Sequence, residues 1–445
     1  MATPPNIAER GMAVGLRALN RVASSGTIDR LGLRDPVTNL IHGATKTGAR
    51  TAATAGRTFA AGRAGLHLSR PERQPRARTS GLFDLTPSDE QLLLRDSVRE
   101  FGRERLRPAA LEADAACAAP AELLSQANEL GLAMVGVPEE LGGAVEERSA
   151  TTTVLMSEAL AQGDMGIAVA CLAPAGVSTA ISLWGDAQQQ ATYLPEFVGD
   201  DVPSAALALM EAQPLFNPFQ LRTRARAAGG GYVVDGVKSL VPRTADAEVF
   251  VLAAELENEG PSLFIVESRT NGISVEPEPG MGVRAAGTGR LILEDAKLPA
   301  TALLGGADAD IYSECVALSR LAWCALAVGT GQAVLDYVTD YVKDRKAFGE
   351  PISHRQAVAF AVANIAIELD GLRLATYRAA SRVDQGLPFT REVALARRLC
   401  TDRGMWIGSE GLQLLGGHGF VKEHPVERWY RDLRAAGIIE GGLLV

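Results

Sequence analysis

Apolar positions along this chain change period twice, and each change marks a different kind of element. Beyond residue 84 they fall at helical steps. Thr86-Pro87-Ser88-Asp89-Glu90 places a hydroxyl and carboxylates where a first helical turn leaves amides unpaired, and Leu92, Leu93, Val98 and Phe101 follow at helical spacings. The run Gly131-Leu-Ala-Met-Val-Gly-Val-Pro138-Glu139-Glu140-Leu-Gly142-Gly143 interrupts the pattern with a turn, and Glu158-Ala-Leu-Ala-x-x-Asp164 resumes it. Residues 84–203 are therefore expected to form a helical domain. The period then shortens. Arg222-Thr223-Arg224-Ala225-Arg226 alternates, Tyr232-Val-Val-Asp235-Gly236 closes on a turn signal, and Val249–Leu256 and Ser262–Val266 read as apolar strands. A small β-domain is expected over 204–305. From 306 the helical step returns: Val358, Val362, Ile365, Leu369 and Leu372 lie four and three apart, the stripe of a bundle helix in a domain over 306–445. No apolar run approaches the length a bilayer crossing requires.

Composition sharpens this reading. A chain of 445 residues is long enough for two or three domains with a sizeable core. Its hydrophobic content is 47% with only 5% aromatic residues, which suits closely packed helices rather than an all-β fold. The five cysteines, at 117, 171, 315, 324 and 400, are scattered without a Cys-x-x-Cys pair. That argues against a disulfide framework or a metal site and suits a reducing compartment.

Charge divides the chain. Residues 1–80 carry twelve Arg and one Lys against four acids, a net of +9, while the remainder nets −18. An acidic body makes nucleic acid a poor partner. The basic head ends in the linker Pro71-Glu-Arg-Gln-Pro75-Arg-Ala-Arg and lacks the continuous apolar core of a secretory signal. It is expected to be a disordered or amphipathic extension: a transit-like segment, a partner-binding arm, or a peripheral tether to anionic membrane. The expected location is cytoplasmic, membrane-peripheral through residues 1–80, or mitochondrial in a eukaryote.

The C-terminal end carries the candidate chemistry. Glu440 sits among Ala435, Ala436, Gly437, Ile438, Ile439 and Gly441. A carboxylate so placed is poorly solvated, which raises its pKa and makes it a better base for proton abstraction beside a carbonyl; an ordinary surface Glu is the plain alternative. Upstream, Gly416-Gly417-x-Gly419 offers backbone that a phosphate can approach, although turns use the same residues.

Spacing narrows these readings. Gln413-Leu-Leu-Gly-Gly-His-Gly-Phe420 followed by Arg431-Asp-Leu-Arg-Ala-Ala-Gly-Ile-Ile-Glu440-Gly441 resembles the C-terminal signature of the acyl-CoA dehydrogenase family. Tyr341-x-x-x-Arg345-Lys-Ala-Phe348-Gly349-x-Pro351-Ile352-x(3)-Gln356 is similar to that family's flavin-contacting block, and Pro138-Glu139-x-x-Gly142-Gly143 to its N-terminal turn. The resemblance implies a mostly α fold with a central β-domain: an N-terminal helical domain, a small β-barrel or sandwich, and a C-terminal four-helix bundle. It implies FAD as cofactor and α,β-dehydrogenation of an acyl-CoA to the trans-2-enoyl-CoA. Glu440 then takes the α-proton and flavin N5 the β-hydride. Some members place the base just before an Arg on an earlier helix; here that position is Ser319, ahead of Arg320, which leaves Glu440 as the candidate. Arg320 would help position the catalytic loop, with a helix ion pair as its plain alternative. Arg345, Phe348 and Gln356 would hold the adenosine diphosphate portion, and Gln413, Gly416 and Gly417 would reach it from a neighbouring subunit. A homo-oligomer, dimer or tetramer, follows, with a hetero-oligomer as the alternative. Electrons would leave to an electron-transfer flavoprotein or a similar acceptor.

The departures concentrate around the flavin ring. Where the family has Ala-Leu-Thr-Glu-Pro, this chain has Ala208-Leu209-Met210-Glu211-Ala212, and Lys-x-Trp-Ile-Thr becomes Lys238-Ser239-Leu240-Val241-Pro242. A hydroxyl and an indole beside the ring are replaced by apolar side chains, and Pro242 removes a backbone donor. Gly442 stands where the family usually has Thr, and the stop at Val445 is expected to leave out the final helix of most members. Two other readings therefore stand beside the dehydrogenase: a degenerate subunit of a hetero-oligomeric enzyme, and a related flavoprotein oxidase or monooxygenase.

Overall fold

The computed structural model describes residues 85–143, 148–199 and 201–442, so the expectations for residues 1–80 lie outside the described residues. The N-terminal region opens with α1 (Asp89–Phe101) where the chain supplies a cap. Ser88 Oγ accepts from Gln91 N at 3.2 Å, and Gln91 Oε1 accepts from Ser88 N at 3.0 Å, satisfying two amides reciprocally. Helices α2 (Arg107–Ala116), α3 (Ala121–Glu129), α4 (Ala150–Ala161), α5 (Met165–Trp184) and α6 (Ala187–Val198) follow. Ser149, Asp164 and Asp186 cap the last three. The turn expected at 131–143 is present, with Gly142 in the left-handed region at φ +91°.

The sheet is built from β1 (Ala205–Ala208), β2 (Arg224–Ala228), β3 (Gly231–Val241), β4 (Val249–Leu256), β5 (Gly260–Glu267), β6 (Ile273–Pro277), β7 (Gly289–Pro299) and β8 (Leu303–Leu304). Its order is β6-β7-β3-β2-β4-β5-β8, with β1 added parallel to β4. In the alternating segment Ala225 points into the core while Arg224 and Arg226 face out. One expectation changes here: Asp235-Gly236 is a bulge inside β3, where the register against β7 shifts between Val234 and Gly236. Gly236 has φ +151°, and a Cβ would lie 2.6 Å from Thr223 Cα, so only glycine fits this close approach.

The C-terminal region is a bundle of α7 (Ala309–Asp344), α8 (Gln356–Asp384), α9 (Thr390–Leu415) and the short α10 (Val426–Asp432), with α4 laid against α7 and α8. A two-stranded hairpin, β9 (Lys346–Ala347) with β10 (Glu350–Pro351), joins α7 to α8. Ile365, Leu369 and Leu372 of the α8 stripe are buried, and Val358 and Val362 are partly so. The expectation that no apolar run is long enough to cross a bilayer is corrected: α5 and α7 meet that requirement by length and composition. Both lie mostly buried within the protein, where helices apolar on nearly all sides have their place.

Candidate active site

Glu440 stands on a tight arch of backbone clamped from two helices. Arg320 of α7 donates from Nε and Nη2 to Glu440 O at 3.0 and 2.7 Å. Arg397 of α9 donates to Ile439 O at 2.7 Å and also to Gly441 O. Gly442 N closes the arch on Phe216 O at 3.0 Å, tying it to the segment after β1. Glu440 itself has φ +62°, a conformation an L-residue holds at a cost of about 1–3 kcal/mol and only where its surroundings impose it. Gly441 follows at φ +103°; a Cβ there would lie 2.8 Å from Pro218 Cδ and 3.0 Å from Arg320 Nη2.

The carboxyl group is buried and asymmetrically held. Ser319 Oγ donates to Oε1 at 3.0 Å, while Oε2 is buried with no hydrogen-bond partner among the described residues. Burial pushes the Glu440 pKa up. The Ser319 hydrogen bond and the charges of Arg397, Arg320 and Lys238 pull it partly back. Glu440 lines a cavity of about 190 Å³ whose walls are faces of α4, α5 and α7, with Met210, Leu240 and Pro242 contributed from the sheet.

The pair that organises the sheet side of this cavity escaped the sequence reading. Lys238, fully buried, donates from Nζ to Glu211 Oε1 at 2.8 Å and to Leu209 O at 3.2 Å. Glu211 also accepts from the amides of Arg222 and Thr223 at 2.7 and 3.0 Å. Burial brings the Lys238 pKa down to about 8 against the pull of Glu211. Burial alone would raise Glu211, yet Lys238 and the two amides hold it below the usual carboxylate range. The signal was available: each is the one charged residue in the apolar segments around Met210 and Leu240. Beside them, Ser239 N donates to Met210 O at 2.9 Å and Leu240 N to Glu278 Oε2 at 3.0 Å. Those backbone donors are therefore committed, and Leu240, at φ +52°, faces the cavity as an apolar wall.

The remaining candidates lie elsewhere. Arg345 follows the last turn of α7, Phe348 sits at φ +57° in the β9–β10 hairpin with 94% of its surface exposed, and exposed Gln356 opens α8. Among the described residues the Arg345 side chain has no hydrogen-bond or ion-pair partner. Gln413 is exposed at the end of α9. No atom lies within 4 Å of where a Cβ would stand on Gly416 or Gly417. Tyr341 joins the two groups: its carbonyl accepts from Arg345 N at 2.8 Å, and its hydroxyl donates to Leu415 O at 3.3 Å. The resemblance divides these six between two subunits; within one protomer α7 and α9 finish at the same end of the bundle, where Tyr341 links the two groups. Arg320 and Arg345 are 25 residues apart on the same helix and its cap, on the order of 37 Å at 1.5 Å per residue. Glu440 is thus far from all six.

Comparison with known proteins gives the same outline. Residues 88–201 match the family model described as acyl-CoA dehydrogenase, N-terminal domain; residues 206–296 match its middle domain, and residues 309–443 its C-terminal domain. The chain is 33% identical over 356 residues to the mitochondrial short-chain specific acyl-CoA dehydrogenase of Bos taurus, covering 78% of this chain and 86% of that one. The butyryl-CoA dehydrogenase of Megasphaera elsdenii superposes with a TM-score of 0.76 at 27% identity, over 81% of this chain and 97% of its own. The FAD complex of PigA superposes at 0.75 with 25% identity, over 81% and 96%.

Proposed function

The chain belongs to the acyl-CoA dehydrogenase family of FAD-dependent oxidoreductases, and on that premise we propose that it carries out α,β-dehydrogenation of an acyl-CoA thioester to the trans-2-enoyl-CoA, with Glu440 as the base. One observation carries the reading. A carboxylate is buried at a cavity wall with one oxygen held by Ser319 and the other without a partner, on an arch that two arginines immobilise. Oε2 is the atom that takes the α-proton. Ser319 keeps Oε1 fixed during the transfer, and Arg320 and Arg397 resist any swing of the arch as charge leaves the carboxylate. The apolar walls exclude water, so the raised affinity of Glu440 for a proton is directed at the substrate. FAD, when bound, accepts the hydride that leaves the β-carbon.

The residues present suit that cofactor. Arg345 offers an unengaged planar fork to a diphosphate, and Gly416 and Gly417 leave the space that close backbone approach demands. Phe348 and Gln356 adjoin Arg345, and Gln413 precedes the glycines. At the other end, Met210 and Leu240 would give the flavin ring apolar contact in place of hydrogen bonds. Arg320, which holds the Glu440 carbonyl, and Arg345 lie 25 residues apart along α7 and its cap, on the order of 37 Å, and this separation supports a site completed by a second copy of the chain. The α8 face bearing Phe360, Ile367 and Leu374, seven residues apart and 58%, 67% and 57% exposed, supports the same conclusion. We take the acceptor to be an electron-transfer flavoprotein or a similar carrier.

Glu440→Gln tests the assignment. Anaerobic bleaching of the flavin by acyl-CoA should slow by at least ~10²–10⁴-fold, with FAD content unchanged. Bleaching near the parent rate removes Glu440 from the mechanism.

A further inference from the structure

Among the described residues that line the cavity, two are charged: Glu440 and Arg148. The rest of the wall is apolar or carries only a neutral hydroxyl, thiol, thioether or indole group. Arg148 precedes Ser149, the cap of α4, and Ala150, Thr153, Val154 and Ser157 continue the wall along one face of that helix. The cavity therefore follows about 10 Å of α4 at 1.5 Å per residue, with the guanidinium at the helix's N-terminal end.

Among the described residues, the acid that acts most on Arg148 is already occupied. Asp384 accepts from Ser149 Oγ at 3.0 Å, Ala150 N at 2.5 Å and Thr151 N at 3.0 Å, closing the first turn of α4. Asp384 and Glu314 influence Arg148 only through their fields. Its guanidinium has no hydrogen-bond or ion-pair partner among the described residues. An arginine stays charged even where burial disfavours it, as it does here. A half-buried cation whose donors no described residue uses, in an apolar wall, is destabilising unless a ligand supplies acceptors.

Building on the dehydrogenation reading above, we propose that Arg148 binds a carboxylate at the ω-end of the acyl group, so that the substrate is the monothioester of a dicarboxylic acid. The planar fork of Arg148 matches two carboxylate oxygens. The apolar wall of α4 takes the methylenes between that carboxylate and the thioester. The carboxylate plays no part in the redox step; it fixes which acyl groups enter and in what register.

The test compares straight-chain ω-carboxyacyl-CoA thioesters, from glutaryl-CoA upward, each beside the alkanoyl-CoA of equal carbon count. The parent protein should prefer the ω-carboxyacyl member at the length that fits. Arg148→Met should lower kcat/KM for that series by about 10–100-fold, the range expected for a lost charged hydrogen bond, mainly through KM. It should leave the alkanoyl series unchanged or improved. Arg148→Lys should recover part of the loss. FAD content should stay at the parent value and the thermal midpoint should not fall, which separates specificity from folding. Equal effects on both series, no effect on either, or a parent preference for alkanoyl thioesters at every length would overturn the proposal and leave the dehydrogenation reading intact. Flavin bleaching by neither series would instead count against that reading itself.

Discussion

Ser319 touches Glu440 through a single hydrogen bond, and in the proposed mechanism that bond lowers the pH at which the base becomes available. Burial favours the protonated carboxyl, whereas the Ser319 hydroxyl favours the ionised one. Removing the hydroxyl therefore raises the Glu440 pKa further. The base is active only when deprotonated, so the acidic limb of the rate profile in Ser319→Ala should move to higher pH, with much of the alkaline plateau retained. A plateau that falls while the limb stays in place would mean that Ser319 merely packs against the arch. At this scale the sequence showed the residue type and its apolar neighbours. It did not show that one carboxylate oxygen would be held and the other left without a partner, since Ser319 lies 121 residues upstream.

At the scale of elements, the β1 end and β3 are joined by the Glu211–Lys238 pair, which holds Met210 and Leu240 in the cavity wall. A buried pair broken on one side leaves an uncompensated charge, and Lys238→Met should destabilise the protein by about 3–5 kcal/mol. Adding Glu211→Gln should restore part of this, because the amide oxygen still accepts from Arg222 or Thr223 while the orphaned charge is gone. A double-mutant cycle read by chemical denaturation checks it; a single variant as stable as the parent would show that the pair is not what anchors the wall. The same scale explains how Asp235-Gly236 reads as a turn. A glycine after a short polar residue signals a chain reversal locally, but pairing along β7 carries β3 straight through it and absorbs the extra residue as a bulge.

For the whole molecule, the length of α7 decides what one chain can do alone. It carries Ser319 and Arg320 near its start and delivers Arg345 at its far end, so the proposed site, which uses both, would be completed by a second copy. Complementation tests this. Arg345→Ala alone should lose FAD, and Glu440→Gln alone should keep FAD without activity. Co-expressed, they should form hybrids in which one intact site combines Glu440 from the first variant with Arg345 from the second, and acyl-CoA-dependent activity should return. Hybrids no more active than the separate variants would place each site within one protomer.

The sequence by itself determined the succession of helical, β and helical regions, because periods of 3.6 and 2 are imposed by short-range backbone geometry and survive any tertiary arrangement. It also showed Glu440 among apolar neighbours and the run of glycines near 416, which are local properties, while the role of base proposed for Glu440 came from the family resemblance. Tertiary structure decided the rest. Only packing could clamp the arch with Arg320 and Arg397, pair Glu211 with Lys238, bring Arg148 into the cavity that holds Glu440, and separate the base from Arg345 by the length of a helix. Each of these depends on contacts or distances between residues remote in the chain, and such relations are set by which faces are buried together rather than by any local pattern.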